Sequence, residues 1–276
     1  YLNGVSTLDM VMVQRHILGS QTFDLKYKYI AADANNDGKV TASDLTDLRK
    51  LILGISTRLP NKSWRFPLKD AEVKLSPLEF DENNKIYSLA IDHLNEDVVA
   101  VKVGDVNGSA VVSINGTVVE PRSAQNLNLV VNAKNVDKGE VVEIPVYSSN
   151  FSAVSGFQYT MNLKGASFVG INGGAIEMNT SNVGVLSGDV LTMSYANDEA
   201  VSANEGDVLF TLVVKADQAT NVSEILSLTS DVTRAESYNG DLKVGGVSLS
   251  VRTAPVASIE LFQNEPNPFK GQTTVM

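Results

Sequence analysis

The oxygen-bearing side chains of "DANNDGKVTASD", residues 33–44, are spaced to hold a hard cation. With Asp33 as position 1, Asn35 and Asp37 fall at positions 3 and 5, Thr41 at 9 and Asp44 at 12. Gly38 at position 6 permits a sharp turn, and Lys39 at position 7 offers its main-chain carbonyl. Alternate side chains of a tightly wound loop converge on one centre. This mixture of carboxylate, amide, hydroxyl and carbonyl oxygens suits calcium. The last ligand is Asp44 where an EF-hand uses Glu, and the shorter carboxylate draws the chain closer to the metal. Asp33, Asp37 and Asp44 repel one another until a cation neutralises them, so calcium binding becomes folding free energy.

A second copy precedes the first. At an offset of 35 residues, Val5 meets Val40, Ser6 meets Thr41, Asp9 meets Asp44, and "HILG" meets "LILG". Gly4 takes the carbonyl position, and Ser6 and Asp9 stand in metal-compatible places. The opening ligands of this copy are missing, so they lie upstream or have been replaced. One calcium site is expected at residues 33–44, and a second forms only if those ligands are supplied. A candidate source is "DVNG", where Asp105 and Asn107 look like the start of a calcium loop. They either cap their own turn by Asx bonding or lend oxygens to the incomplete copy.

Other chemistry is largely excluded. The chain has no cysteine, and its two histidines are His16 and His93. Thiol catalysis, thiolate zinc sites and disulfide staples are ruled out. His16 aligns with Leu51 of the other copy and reads as a helix-face residue. Trp64, the sole tryptophan, lies among apolar neighbours and reads as a core anchor rather than a sugar platform. Paired carboxylates across a cleft are not indicated, since Asp and Glu cluster in turns such as "NDEA" and "NEGD". No phosphate-binding, dinucleotide, zinc-protease or nucleophile-elbow motif occurs, so no catalytic residue is expected. A net charge of −10 without clustered Lys and Arg excludes nucleic-acid binding. No apolar run reaches the roughly 20 residues of a transmembrane helix.

The elements that must position these residues differ along the 276-residue chain. Residues 1–57 have helical texture, with Leu45, Leu48 and Ile52 at helical spacing and Gly54 as a terminator. Residues 58–110 form a small β-rich insertion packed on that module, and 111–124 a linker with a hairpin signal at "NG". From 125 to 252, runs such as "VVEIPVYSS", "GFQYTMNL" and "VLFTLVVKA" alternate β-formers between turn residues, which argues a β-sandwich. "ANDEA" reads as a turn. Residues 255–276 are a proline-bearing tail. The expected class is multidomain α+β. Residue 1 opens inside a repeat, so the chain is expected to be a piece of a longer protein.

Three resemblances attach to these segments. The two half EF-hand repeats of residues 1–57 resemble a dockerin, which implies calcium-dependent folding and a recognition surface on the helix faces. Dockerins often carry paired hydroxyls at loop positions 10 and 11. Here those positions hold Thr7 and Leu8, then Ala42 and Ser43. "VEIPV", "SGFQYTMN", "YAND" and "GDVLFTLVV" together resemble a cohesin, implying a nine-stranded jelly-roll sandwich whose sheet face receives a dockerin and whose relatives bind carbohydrate. "QNEPNPF" resembles the start of a type 9 secretion system C-terminal sorting domain of Bacteroidetes, centred on Asn264, Pro266, Asn267, Pro268 and Phe269. It implies export to the outer-membrane surface or beyond.

These features lead to the expectation of a non-catalytic, calcium-stabilised end of a secreted, surface-anchored, adhesin-like protein. Two alternatives stand beside it: a cohesin–dockerin assembly protein, and the accessory or glycan-binding region of a secreted hydrolase.

Overall fold

Two capped helices organise the first half. The computed structural model describes residues 2–70, 72–82, 97–111, 123–187 and 189–253. The hairpin signal within 112–122 and the five tail residues Asn264 to Phe269 lie outside them. Helix α1 (Thr7–Leu18) starts at Ser6 and α3 (Ala42–Ile52) at Thr41. In both, the hydroxyl of the cap and the Asp three residues on form a reciprocal capping box that satisfies otherwise orphaned amides. Between them lies α2 (Lys26–Ala32). Gly19 ends α1 at φ +76, a left-handed conformation that costs glycine little.

Apolar faces at helical spacing meet in one small core of Met10, Val13, Ile30, Leu48, Leu51 and Ile52. Residues from 59–80 and 99–106 complete it. Strand β1 (Trp64–Arg65), the hairpin of β2 (Val73–Leu75) with β3 (Leu78–Phe80), and β4 (Val101–Lys102) wrap the helices. Leu59, Leu78, Val101, Val103 and Val106 are buried in the same cluster. Strands β1 and β4 pair antiparallel.

The second half is a β-sandwich. Its strands are β5 (Leu127–Asn132), β6 (Asn135–Val136), β7 (Val141–Ser148), β8 (Val154–Leu163), β9 (Ala166–Gly173), β10 (Val183–Val185), β11 (Val190–Val201), β12 (Phe210–Ala216) and β13 (Thr220–Asn221). After a short α4 (Val222–Ile225) come β14 (Leu226–Thr229), β15 (Glu236–Asn239) and β16 (Val244–Arg252). The hydrogen-bonded path runs β10-β11-β8-β15-β16-β5-β7-β12-β9, with β14 on β8. That makes ten strands, where the cohesin resemblance implied nine. Strand β16 pairs with β15 over Val244–Gly246 and then, in parallel, with β5 from Val247 to Arg252. It passes from one layer to the other and links them into a continuous ladder.

Alternation fills the space between the layers. Phe157, Tyr159 and Met161 of β8, and Leu191, Met193 and Tyr195 of β11, face Val142, Ile144 and Val146 of β7 and Phe210 and Leu212 of β12. Phe157 stacks near Tyr195 and Phe210, with centroid distances of 5.2 and 6.4 Å. Among the described residues, no helix is long and apolar enough to cross a membrane.

Candidate metal loops and docking face

Residues 33–44 close a loop around inward-facing oxygens. The Asp33 carboxylate accepts from the amides of Asp37 and Gly38 at 3.1 Å each. Asp44 Oδ1 accepts from Ala34 and Asn35, at 2.8 and 3.3 Å, and its Oδ2 from Thr41 N at 2.8 Å. These amides fix the carboxylates without neutralising them. Burial, with Asp37 and Asp33 respectively as repelling neighbours, holds Asp33 and Asp44 above the usual carboxylate range despite the amide bonds. Gly38 sits at φ +79 and Asn36 at φ +64, the tight turns that wrap the loop. Among the described residues no three carboxylate, imidazole or thiolate groups cluster tightly enough to hold a metal by themselves. A cation here would take the mixed set of Asp33, Asn35, Asp37, the Lys39 carbonyl, Thr41 and Asp44. Uncompensated buried carboxylates on a preformed loop of hard oxygens fit calcium.

The incomplete first copy is completed from a distance. Asp9 Oδ1 accepts from the amides of Val106 and Asn107 at 2.7 and 3.1 Å, and its Oδ2 from Ser6 N at 2.9 Å. Asp105 accepts from Ser109 N and Ala110 N at 2.9 and 2.7 Å, and Asn107 Oδ1 from Ser109 N at 3.0 Å. Each bond has a counterpart in residues 33–44. Asp105 stands for Asp33, Asn107 for Asn35, Ser109 for Asp37 and Ala110 for Gly38. Gly108 at φ +74 matches Asn36. The chain then departs through Val111, and Gly4 takes over at the carbonyl position. A Cβ on Gly4 would lie 2.7 Å from Ala110 Cα, so the two pieces abut where residues 38 and 39 are covalently joined. Asn3 clasps the seam, its side chain bonding both the carbonyl and the amide of Val111, at 2.8 and 3.1 Å.

Burial, then repulsion from Asp105, pushes the Asp9 carboxyl up to about 7. Burial also raises Asp105, and lowers the nearby Lys102 to about 8. Lys102 Nζ donates to Val103 O at 2.8 Å. The sequence offered the "DVNG" signal but no way to see which of its two roles the fold would use.

The helix faces of the module are not free. Thr7, at loop position 10, donates its amide to Gln158 Oε1 at 2.7 Å, and its hydroxyl lies 2.8 Å from Ser194 Oγ. Leu8, at position 11, is buried against Tyr238 and Val244. Arg15 donates to Asp198 O, Ser155 Oγ and Gly240 O at 2.8, 3.0 and 3.1 Å. The last carbonyls of α3, left without partners by the helix itself, accept from the sandwich: Ile52 O from Thr233 Oγ1 at 2.7 Å and Leu53 O from Thr192 Oγ1 at 2.6 Å.

The receiving surface is the outer face of β8 and β11, made of small and hydroxyl side chains. Gly156 lets the methyls of Thr7 and Val11 approach, since a Cβ there would lie 3.3 Å from each. Gly184 admits Leu53 O, which a Cβ would meet at 2.5 Å. Thr192 and Ser194 are fully buried although they point away from the sandwich core. The equivalent positions of the second repeat, Ala42 and Ser43, are exposed.

Other singled-out residues have local roles. His16 stacks on Phe23 at 4.0 Å, and its Nδ1 accepts from Phe23 N. Trp64 is half-buried on β1. Residues 196–198, expected as a turn, lie instead in a bulged stretch of β11. The bulge turns the Asp198 carbonyl to Arg15.

Residues 3–53 match the family model for the dockerin type I domain, a family that typically takes calcium. No curated protein matches the chain. Among solved structures, a type I cohesin–dockerin complex from Clostridium thermocellum is 14% identical, with a TM-score of 0.37 over 48% of this chain and 96% of that one. The seventh ScaB type I cohesin of Pseudobacteroides cellulosolvens is 13% identical, with a TM-score of 0.34 over 51% and 99%. A non-cellulosomal cohesin from Archaeoglobus fulgidus is 14% identical, with a TM-score of 0.30 over 47% and 94%. Residues 3–53 thus match the dockerin type I domain, and a larger β-sandwich follows them.

Proposed function

We propose that this chain is a non-catalytic recognition unit of the cohesin–dockerin type, closed on itself. Its calcium-stabilised helical module docks on the β8–β11 face of its own sandwich. One observation carries the reading: loop positions 10 and 11 of the first repeat, Thr7 and Leu8, are buried against that face. A hydroxyl-lined outer sheet surface has no reason to be dry unless a partner covers it, and here the partner is in the same chain. Calcium would hold the loop that starts each docking helix, so the metal positions the recognition surface rather than performing a reaction.

The test uses residues 1–110 and 125–252 as separate fragments, titrated by calorimetry with calcium and then with chelator. Calcium-dependent association supports the reading, and no association in calcium refutes it.

In the wider protein, the unit would act outside the cell as a segment of an adhesin-like surface protein. The tail around Asn264, Pro266, Asn267, Pro268 and Phe269 would deliver it to the type 9 secretion machinery. The support for export is the "QNEPNPF" resemblance alone. Deleting residues 258–276 in the native host and finding the protein still at the cell surface would refute it.

A further inference from the structure

We propose that the chain holds a second calcium ion in a discontinuous loop. Asp105, Asn107 and Ser109 supply its first half, and Gly4, Ser6 and Asp9 its second. The inference rests on the reading that residues 33–44 take calcium, because that loop is the internal template. The dockerin match ends at residue 53 and contains none of the first three ligands. They come from beyond β4, delivered by Gly104, whose amide donates to Ala31 O at 2.8 Å and whose missing side chain leaves room for Val5.

The composite loop reads D-V-N-G-S-A from 105 to 110, then G-V-S-T-L-D from 4 to 9. That is twelve positions with oxygen donors at 1, 3, 5, 7, 9 and 12, the set a calcium loop requires. Asp9 and Asp105 hold the same amides as Asp44 and Asp33. Ser109 Oγ lies 3.2 Å from Gly4 O, which brings the position-5 and position-7 oxygens together across the seam. Loop geometry alone could be an Asx turn, but a turn needs only one carboxylate. Here two buried carboxylates from remote segments face one centre, an arrangement that costs free energy unless a cation is shared between them.

The composite site is the weaker of the two. It has two carboxylates, Asp9 and Asp105, against three in residues 33–44. Lys102 adds a positive charge beside it. Calcium affinity falls with ligand charge. Occupancy would fasten residues 105–110 to the start of α1, so the first docking helix is set only when the β4 segment has returned to it.

The experiment counts calcium on the full chain by native mass spectrometry, with affinities from a calcium titration. The expected result is two ions, one tight and one weaker. Asp105→Asn should lose the weaker ion and Asp33→Asn the tighter. Ser109→Asp, which restores the carboxylate that Asp37 supplies in the other loop, should tighten the weaker step at least about tenfold. This gain keeps the test decisive if Asp105→Asn fails to fold. A single ion lost in Asp33→Asn, with no effect of Ser109→Asp, overturns the composite site and leaves the calcium reading of residues 33–44 standing. A single ion lost only in Asp105→Asn does the reverse. No bound calcium overturns both.

Discussion

Replacing Arg15 with alanine should weaken docking of the helical module on the sandwich more than any other surface charge change. Arg15 extends from α1 and donates to Asp198 O, Ser155 Oγ and Gly240 O, three groups on the sandwich. Each bond has a charged donor, worth roughly 1.5–3 kcal/mol when lost. Against this, alanine frees about 2 kcal/mol of side-chain entropy, and the half-exposed site lets water replace part of the bonding. The net loss is about 2–4 kcal/mol, or roughly 30- to 700-fold in dissociation constant. Calorimetric titration of fragment 1–110 carrying Arg15→Ala into fragment 125–252 measures it. Arg58→Ala, at an exposed position, should change binding less than about twofold. Arg15→Lys should fall between, because an ammonium cannot reach three divergent acceptors. An Arg15→Ala constant within about threefold of wild type would refute the docking geometry.

Further outcomes follow from the same contacts. Gly4→Ala places a Cβ 2.7 Å from Ala110 and forces alanine to φ +77. It should destabilise the module by about 2 kcal/mol or more in urea unfolding. Thr192→Val strips Leu53 O of its donor while keeping shape, and should cost about 1–3 kcal/mol of docking free energy in the fragment titration. In chelator, Asp9 has a folded pKa raised from 3.8 to about 7, so the folded state binds the proton more tightly than the unfolded one. Stability of the calcium-free chain should therefore rise as pH drops from about 7 towards 4, by up to about 4 kcal/mol from this group. In calcium the trend should reverse, because protons compete with the metal. Thermal melts at pH 5 and 7.5, with and without chelator, check both signs.

The winding of the loop at residues 33–44 could be read directly, because the residues that shape it are local and the twelve-residue spacing is demanding. The offset of 35 likewise exposed the repeat, pairing Ser6 with Thr41 and Asp9 with Asp44, but only the structure shows that these residues also cap α1 and α3. The first copy's missing half was harder. The residues that match it stand about 100 positions away, and only the fold reveals that the segment after β4 returns beside Val5. The docking face was hidden for another reason. "SGFQYTMN" and "LTMSY" alternate apolar and polar residues, the pattern of a strand with one face in water. Gln158, Thr192 and Ser194 look solvent-facing by that rule, yet α1 meets Gln158 and Ser194 and the end of α3 meets Thr192. Periodicity reports which side chains avoid water within one strand. It cannot report that another element will dry the polar side. The β11 bulge at 196–198 was missed similarly, since Asn and Asp signal a turn as readily as a bulge.

The most direct test of self-docking uses the two hydroxyls at its centre. The chain has no cysteine, so a Thr7→Cys, Ser194→Cys double variant carries a single possible disulfide. The hydroxyl oxygens lie 2.8 Å apart, close enough for sulfur atoms to approach the roughly 2.0 Å of a bond with little main-chain movement. Refolded in calcium under mild oxidation, the variant should form one intramolecular disulfide and remain monomeric by mass and by size-exclusion chromatography. Two free thiols, or a disulfide-linked dimer at low protein concentration, would contradict docking within one chain.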